Sequence, residues 1–168
     1  MGALNKMEIC EEINQYSKTY TEPYKKKRVS CRAFIVENGK ILLSYETNTG
    51  VYMSPGGGIE DGETHEECCV REVREETGFD VKILKDFMII NEYCYDTLYM
   101  AHYFICEITG QGKQALTDVE IDHGITPEWV EIAQALEIFG DYATKTPDHE
   151  SLYRREFAVI NKYLELQK

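Results

Sequence analysis

Residues 71–78 read REVREETG, and their spacing decides how the middle of the chain folds. Positions three and four apart are neighbours on a helix, so Glu72, Glu75 and Glu76 would share one face spanning roughly 100°. Val70, Val73 and Thr77 would pack down on one side, with Arg71 and Arg74 on the other. The run "ETHEECCVREVREETG" (63–78) is then a helix of about four turns that stops at Gly78, a C-cap residue. Like charges at this spacing destabilise an isolated helix by roughly 0.2–0.5 kcal/mol per pair. A solvated charged face is the ordinary account of such a helix. A hard divalent cation is the other, because Mg²⁺ takes oxygen ligands and binds through one or two carboxylates plus substrate phosphates.

The stretch just upstream favours the cation. "SPGGGIEDGE" (54–63) holds four glycines. Glycine lets backbone approach a ligand closely, and the segment feeds a helix N-terminus, where free N–H groups favour anions. Gly56 and Glu76, twenty residues apart, would place a backbone cradle beside a carboxylate stripe, a metal–phosphate arrangement.

Farther out, residues 6–18 are predicted as a short helix with Ile9, Ile13 and Tyr16 on one stripe, followed by the basic loop PYKKKR (23–28). "VSCRAFIVENGKILLSYET" (29–47) reads as a β-hairpin about Asn38-Gly39. Residues 79–95 and 98–109 are two long strands rich in β-branched and aromatic residues. A polar loop over 110–125 leads to the strand PEWVEI (127–132), the helix AQALEIFG (133–140), and a closing amphipathic helix apolar at Leu152, Phe157, Ile160 and Leu164. This order fits one α+β domain with a mixed sheet flanked by helices.

The fixed positions Gly57, Glu63, Arg71-Glu72-Val73, Glu75-Glu76 and Gly78-Phe79 resemble the signature of the Nudix hydrolase (MutT-like) family. That signature is Gly, five residues, Glu, seven residues, Arg-Glu-aliphatic, one residue, Glu-Glu, one residue, Gly-aliphatic. Phe79 departs from the usual aliphatic residue, at a packing position. The likeness in element order runs from about Arg28 to Gly140 and includes "EWVEIAQAL" (128–136). It implies a Nudix-type α/β/α sandwich with a mixed central β-sheet. Residues 1–27 would be an N-terminal extension, 28–140 the Nudix domain, and 141–168 a C-terminal helix packed on it.

The resemblance also implies roles. Glu75 and Glu76 would bind Mg²⁺ or Mn²⁺, with the Gly56 carbonyl as a further ligand. Glu72 would bind metal or act as general base, and Arg71 would hold the carboxylates in place. Glu63 would act through water or in support, beside the phosphate-cradling Gly57 and Gly58. A further acid is expected from "LTDVEIDHG" (116–124), with Glu120 favoured over Asp118 and Asp122. Tyr52, Tyr93, Tyr95 and Tyr103 are candidates to stack on a base. Tyr95 also sits sixteen residues past Phe79, near where diadenosine polyphosphate hydrolases often carry a tyrosine. The substrate would be a nucleoside diphosphate linked to another group: a nucleoside triphosphate, a nucleotide sugar or ADP-ribose, or a dinucleoside polyphosphate. The rival reading is a nucleotide-binding or regulatory module without turnover.

Bulk properties exclude other classes. A chain of 168 residues with a net charge of −12 lacks the basic field of a nucleic-acid binder. It can still take a small anion through metal ions. Six cysteines without a CxxC pair read as reduced thiols rather than a disulfide scaffold or zinc ribbon. Cys68 and Cys69 read as small packing residues, with a His65/Cys68/Cys69 metal site and a redox role as lesser alternatives. No apolar run reaches membrane-span length and no signal-peptide core is visible, so a cytoplasmic location is expected. The terminal segments are expected to close over the pocket, to build a homodimer, or simply to pack.

Overall fold

The computed structural model describes residues 10–168. In chain order these form β1 (Glu11–Tyr16), β2 (Lys26–Phe34), β3 (Val36–Glu37), β4 (Lys40–Glu46), β5 (Val51–Met53), β6 (Gly56–Gly58), α1 (His65–Thr77), β7 (Phe79–Cys94), β8 (Thr97–Gln111), α2 (Asp118–His123), β9 (Ile125–Glu131), α3 (Ile132–Gly140), a 3₁₀ turn (Tyr142–Thr144) and α4 (Pro147–Leu166).

The long runs β7 and β8 pair antiparallel over their whole length and form the spine of a five-stranded mixed sheet ordered β1-β7-β8-β2-β6. β1 lies parallel to β7, β2 parallel to β8, and β6 antiparallel to β2. Side chains alternate across these strands. Cys31, Ala33, Phe104 and Cys106 therefore face one way and pack under Cys68, Cys69 and Val73 of α1. Phe34, Met88, Ile90, Ala101 and Tyr103 face the other way, toward Phe139 of α3 and Tyr153, Val159 and Ile160 of α4. The sheet thus separates two cores, giving the α/β/α sandwich. A second sheet of β3, β4 and β5, with β9 paired to β4, closes the side of the domain.

Three elements differ from their sequence-based reading. Within 6–18, residues 6–9 lie outside the described residues, and Glu11–Tyr16 is a strand rather than a helix. The exposed edge of β7 offers a full ladder to this segment, and Asn91 donates to Glu12 Oε1 at 2.6 Å, so tertiary pairing overrides a weak helical spacing. Asn38-Gly39 does turn the chain, both residues at positive φ, but the hairpin joins only β3 and β4; β2 belongs to the other sheet. Inside the polar 110–125 segment a short helix forms at Asp118–His123, capped by Thr117.

In α4 the expected apolar stripe is completed by a buried polar one. Ile160 is fully buried and Leu152, Phe157 and Leu164 pack partly. Glu156, also buried, accepts from Tyr103 Oη at 2.9 Å and from Ser54 Oγ at 2.6 Å. Among the described residues no helix is long and apolar enough to cross a membrane, and all six cysteines are free.

Candidate active site

α1 is fixed at both ends. Thr64 accepts from the Glu67 N–H at 3.1 Å while Glu67 Oε2 accepts from the Thr64 N–H at 2.9 Å, a closed capping box. Gly78 ends the helix at φ 78°, where a side chain would be strained and would meet the Gly112 carbonyl. Between these caps Cys68, Cys69, Val73 and Thr77 are buried. Val70, expected in the packing stripe, is 37% exposed, because Cys69 and Val73 take the face turned to the sheet. Cys69 lies among Cys31, Cys68 and Cys106 rather than beside His65 as a ligand, so the His65/Cys68/Cys69 cluster does not form.

Glu72 and Glu76 are buried at 8% and 4% exposure although both are acidic. Glu76 Oε2 accepts from Ser44 Oγ at 2.8 Å and from the Gly56 N–H at 3.1 Å. Burial pushes its carboxyl up to about 7 against the pull of Arg32, Ser44 and Gly56. Burial also raises Glu72, which Arg71 partly offsets. Glu120 reaches the same place from α2, and single carboxylate oxygens of Glu72, Glu76 and Glu120 lie within 4.8 Å of one another. Its Oε2 is held by the Thr117 N–H at 2.7 Å and the Thr117 hydroxyl at 2.8 Å, which aims the carboxylate. Burying Glu72 and Glu76 with the half-buried Glu120 beside them is unfavourable without a cation. An all-oxygen, carboxylate-rich set fits a hard divalent ion such as Mg²⁺ or Mn²⁺.

Arg71 organises the rim. Its guanidinium donates to Glu72 Oε1 at 2.8 Å, Glu75 Oε2 at 3.1 Å and the Gly58 carbonyl at 3.1 Å. It also makes a two-pronged contact with Glu63, at 2.5 and 2.9 Å, and this pairing holds the Glu63 carboxyl down at about 2. Both Glu63 oxygens are thus engaged by Arg71. Glu75, partly exposed and held by Arg71, is not among the carboxylates that converge with Glu72, Glu76 and Glu120.

The glycines form strand β6 directly against this acid face. A Cβ on Gly57 would lie 2.4 Å from Glu72 Oε2, whereas one on Gly56 would lie 2.2 Å from the Cys31 carbonyl. Gly58 has open space around it.

The tyrosines divide differently. Tyr95 sits at positive φ in the β7–β8 turn. Gly57 pairs with Cys31 and Cys31 with His102, so Tyr95 lies seven strand positions from that level. At a rise of about 3.3 Å per residue it stands ~23 Å from the glycines and is not gathered with the box. Tyr103 is fully buried on Glu156, and Tyr93 stacks on Tyr16 with ring centroids 4.6 Å apart, so both are occupied by packing. Tyr52 stacks on Tyr45 at 4.3 Å and donates to Glu128. Ser44 and Arg32 carry no periodic signal in the sequence, as a serine or arginine in a strand does not; only the fold brings them to Glu76.

A family model for the NUDIX domain matches residues 25–155. The m7GpppN-mRNA hydrolase of Saccharomyces cerevisiae is 36% identical over 104 residues, 61% of this chain and 10% of that protein. The ADP-ribose pyrophosphatase of Methanocaldococcus jannaschii is 36% identical over 86 residues, 42% of this chain and 51% of that one. The chain therefore spans about a tenth of the first relative and half of the second. A NUDIX hydrolase from Nitrosomonas europaea superposes with a TM-score of 0.64 at 26% identity, covering 85% of this chain and 92% of that one. On a match that takes in the glycine strand, α1, α2 and the whole of both long strands, the chain belongs to the NUDIX domain family.

Proposed function

We propose that the chain hydrolyses the pyrophosphate linkage of a nucleoside diphosphate joined to another group, with a divalent ion, Mg²⁺ or Mn²⁺, as cofactor. The observation that carries this is the meeting of Glu120, from α2, with the buried Glu72 and Glu76 of α1. A solvated charged helix face does not draw in a third acid from a separate element. Relatives whose names describe hydrolysis of m7GpppN-mRNA and ADP-ribose support an anhydride between a nucleotide and a second moiety.

In this reading Glu72, Glu75 and Glu76, with the Gly56 carbonyl, hold the ion. When bound, it supplies charge neutralisation at the phosphates and acidifies water. Gly57 and Gly58 let the diphosphate approach the acid face, since neither puts a side chain in its way. Arg71 locks the Glu72 and Glu75 carboxylates, and Glu63 acts through Arg71 by fixing the guanidinium. Glu120, tethered by Thr117, is the base that takes the proton from the attacking water.

The test is product release from a panel of nucleoside triphosphates, ADP-ribose, nucleotide sugars and dinucleoside polyphosphates, each with and without Mg²⁺, beside a Glu76→Gln control. Metal-dependent cleavage of one class, lost in the control, is expected. Nucleotide binding with no turnover across the panel would instead establish a non-catalytic module.

A further inference from the structure

A second constellation lies where β1, β7, β8 and the start of α1 meet, built from different donors. Cys10 Sγ, Asp86 Oδ1 and His102 Nε2 fall within 4.8 Å of one another. His102 Nε2 is 2.6 Å from Asp86 Oδ1 and 4.0 Å from Cys10 Sγ. On the far side of the ring, His102 Nδ1 is 2.8 Å from His65 Nδ1. His102 is buried at 7% exposure, and its ring also lies against Phe104, with centroids 4.2 Å apart. The imidazole is therefore held at both nitrogens and on one face.

We propose that Cys10, Asp86 and His102 form a binding site for Zn²⁺ or a similar borderline-soft transition ion, separate from the carboxylate cluster. Three arguments carry it. The donor set is one thiol, one imidazole and one carboxylate, which favours zinc over magnesium. The spacing is within reach. With zinc bonds of about 2.0–2.3 Å, tetrahedral ligand atoms sit roughly 3.3–3.8 Å apart, so an ion would part the His102–Asp86 hydrogen bond by less than about 1 Å and draw Cys10 slightly closer; these contacts are 2.6 and 4.0 Å here. Finally, the outer contact is of the kind metal-bound histidines have. A ligating imidazole usually engages a partner through its other nitrogen, which fixes its orientation; His65 occupies that position on His102. His65 is then a positioning residue rather than a ligand.

Metal uptake must displace the Cys10 thiol proton, which burial and Asp86 hold in place by pushing the thiol up to about 12. An ion here would clip residue 10 to β7 and β8 just ahead of the β1 ladder. Three protein ligands leave a fourth position for water.

The test uses the full chain stripped of metal. Zn²⁺ binding is measured by equilibrium dialysis in excess Mg²⁺, and Co²⁺ is added as a spectroscopic probe. The expected result is Zn²⁺ uptake that Mg²⁺ does not displace, with a thiolate-to-cobalt charge-transfer band. Cys10→Ala should abolish the band and weaken Zn²⁺ binding at least about 10-fold, while His65→Phe weakens it by about 10- to 100-fold and keeps the band. Glu76→Gln and Glu120→Gln should leave this uptake unchanged. Circular dichroism confirms that each variant is folded, and Cys10→Ala, at a half-buried position outside both cores, removes a ligand without opening them. Zinc uptake insensitive to Cys10→Ala, uptake lost in Glu76→Gln, or no uptake in excess Mg²⁺ overturns the site. These outcomes do not depend on whether the chain hydrolyses nucleotides.

Discussion

At the scale of single residues, the acid face stores an electrostatic penalty that a bound cation would relieve. Glu76 has its carboxyl raised from 4.5 to about 7 in the folded chain by burial. Between those values the unfolded state has already released the proton that the folded state keeps, so metal-free stability falls as pH rises from 4.5 and levels off above 7. Glu76→Gln removes the penalty. The metal-free variant should be more stable than the parent by about 1–3 kcal/mol at pH 8, and equal to it near pH 4, while Mg²⁺-dependent turnover is lost. Thermal melts at the two pH values in a chelator check this; equal melting at pH 8 would show that Glu76 is not electrostatically strained. The glycines give a paired prediction. Gly57→Ala meets the carboxylate end of Glu72 rather than backbone, so the fold can yield by shifting that carboxylate off Arg71, and the variant should fold but lose at least about 10-fold in kcat. Gly56→Ala meets the Cys31 carbonyl and Arg32 backbone at a φ of 150°, so it should lower stability by about 2 kcal/mol or more.

At the scale of elements, α2 shows how a surface helix can aim the carboxylate proposed as the base. It buries none of its residues, and its capping box is made by Thr117 and Glu120 themselves. Thr117→Ala removes about 1 kcal/mol of capping from a unit that can fray alone. The global melting temperature should therefore stay put while kcat falls about 5-fold, with Thr117→Ser restoring it. A comparable drop in melting temperature would mean that α2 is integral to the core. The same elements explain what could be read in advance. α1 was legible because its C-cap Gly78 and its glutamate spacing are local signals, and β7 and β8 because they are long; the Thr64 cap emerged only with the structure. Glu120 could be singled out only through family likeness, since an acid in a polar segment has no pattern of its own. β1 was misread because Ile13 and Tyr16, three apart, match a helical stripe although they face opposite ways in a strand, and the deciding partner, the β7 edge, lies 77 residues downstream. Ser44 illustrates the limit: its contact with Glu76 exists only once β4 is laid beside α1.

At the scale of the whole molecule, charge separates two kinds of substrate that the acid cluster alone treats alike. Hydrolysis of a capped RNA and of a free dinucleotide requires the same anhydride chemistry at the centre, but an RNA tail needs a basic track to reward its extra phosphates. This chain carries 30 acidic residues against 18 lysines and arginines, a net −12. Adding a tail of about 20 nucleotides to a cap-like dinucleotide should therefore not lower KM, because each added phosphate meets a negative field that only the bound ion offsets locally. The sign of the salt dependence follows from the same balance. For a basic binder, added salt weakens association; here screening reduces the repulsion between protein and anionic substrate, so kcat/KM for a small nucleotide should rise or stay level as KCl goes from about 20 to 150 mM at fixed free Mg²⁺. A steep fall with salt, together with a KM at least about 10-fold lower for the tailed substrate, would reveal a polyanion track that outweighs the net charge and would move the substrate from a free nucleotide to a nucleic-acid end.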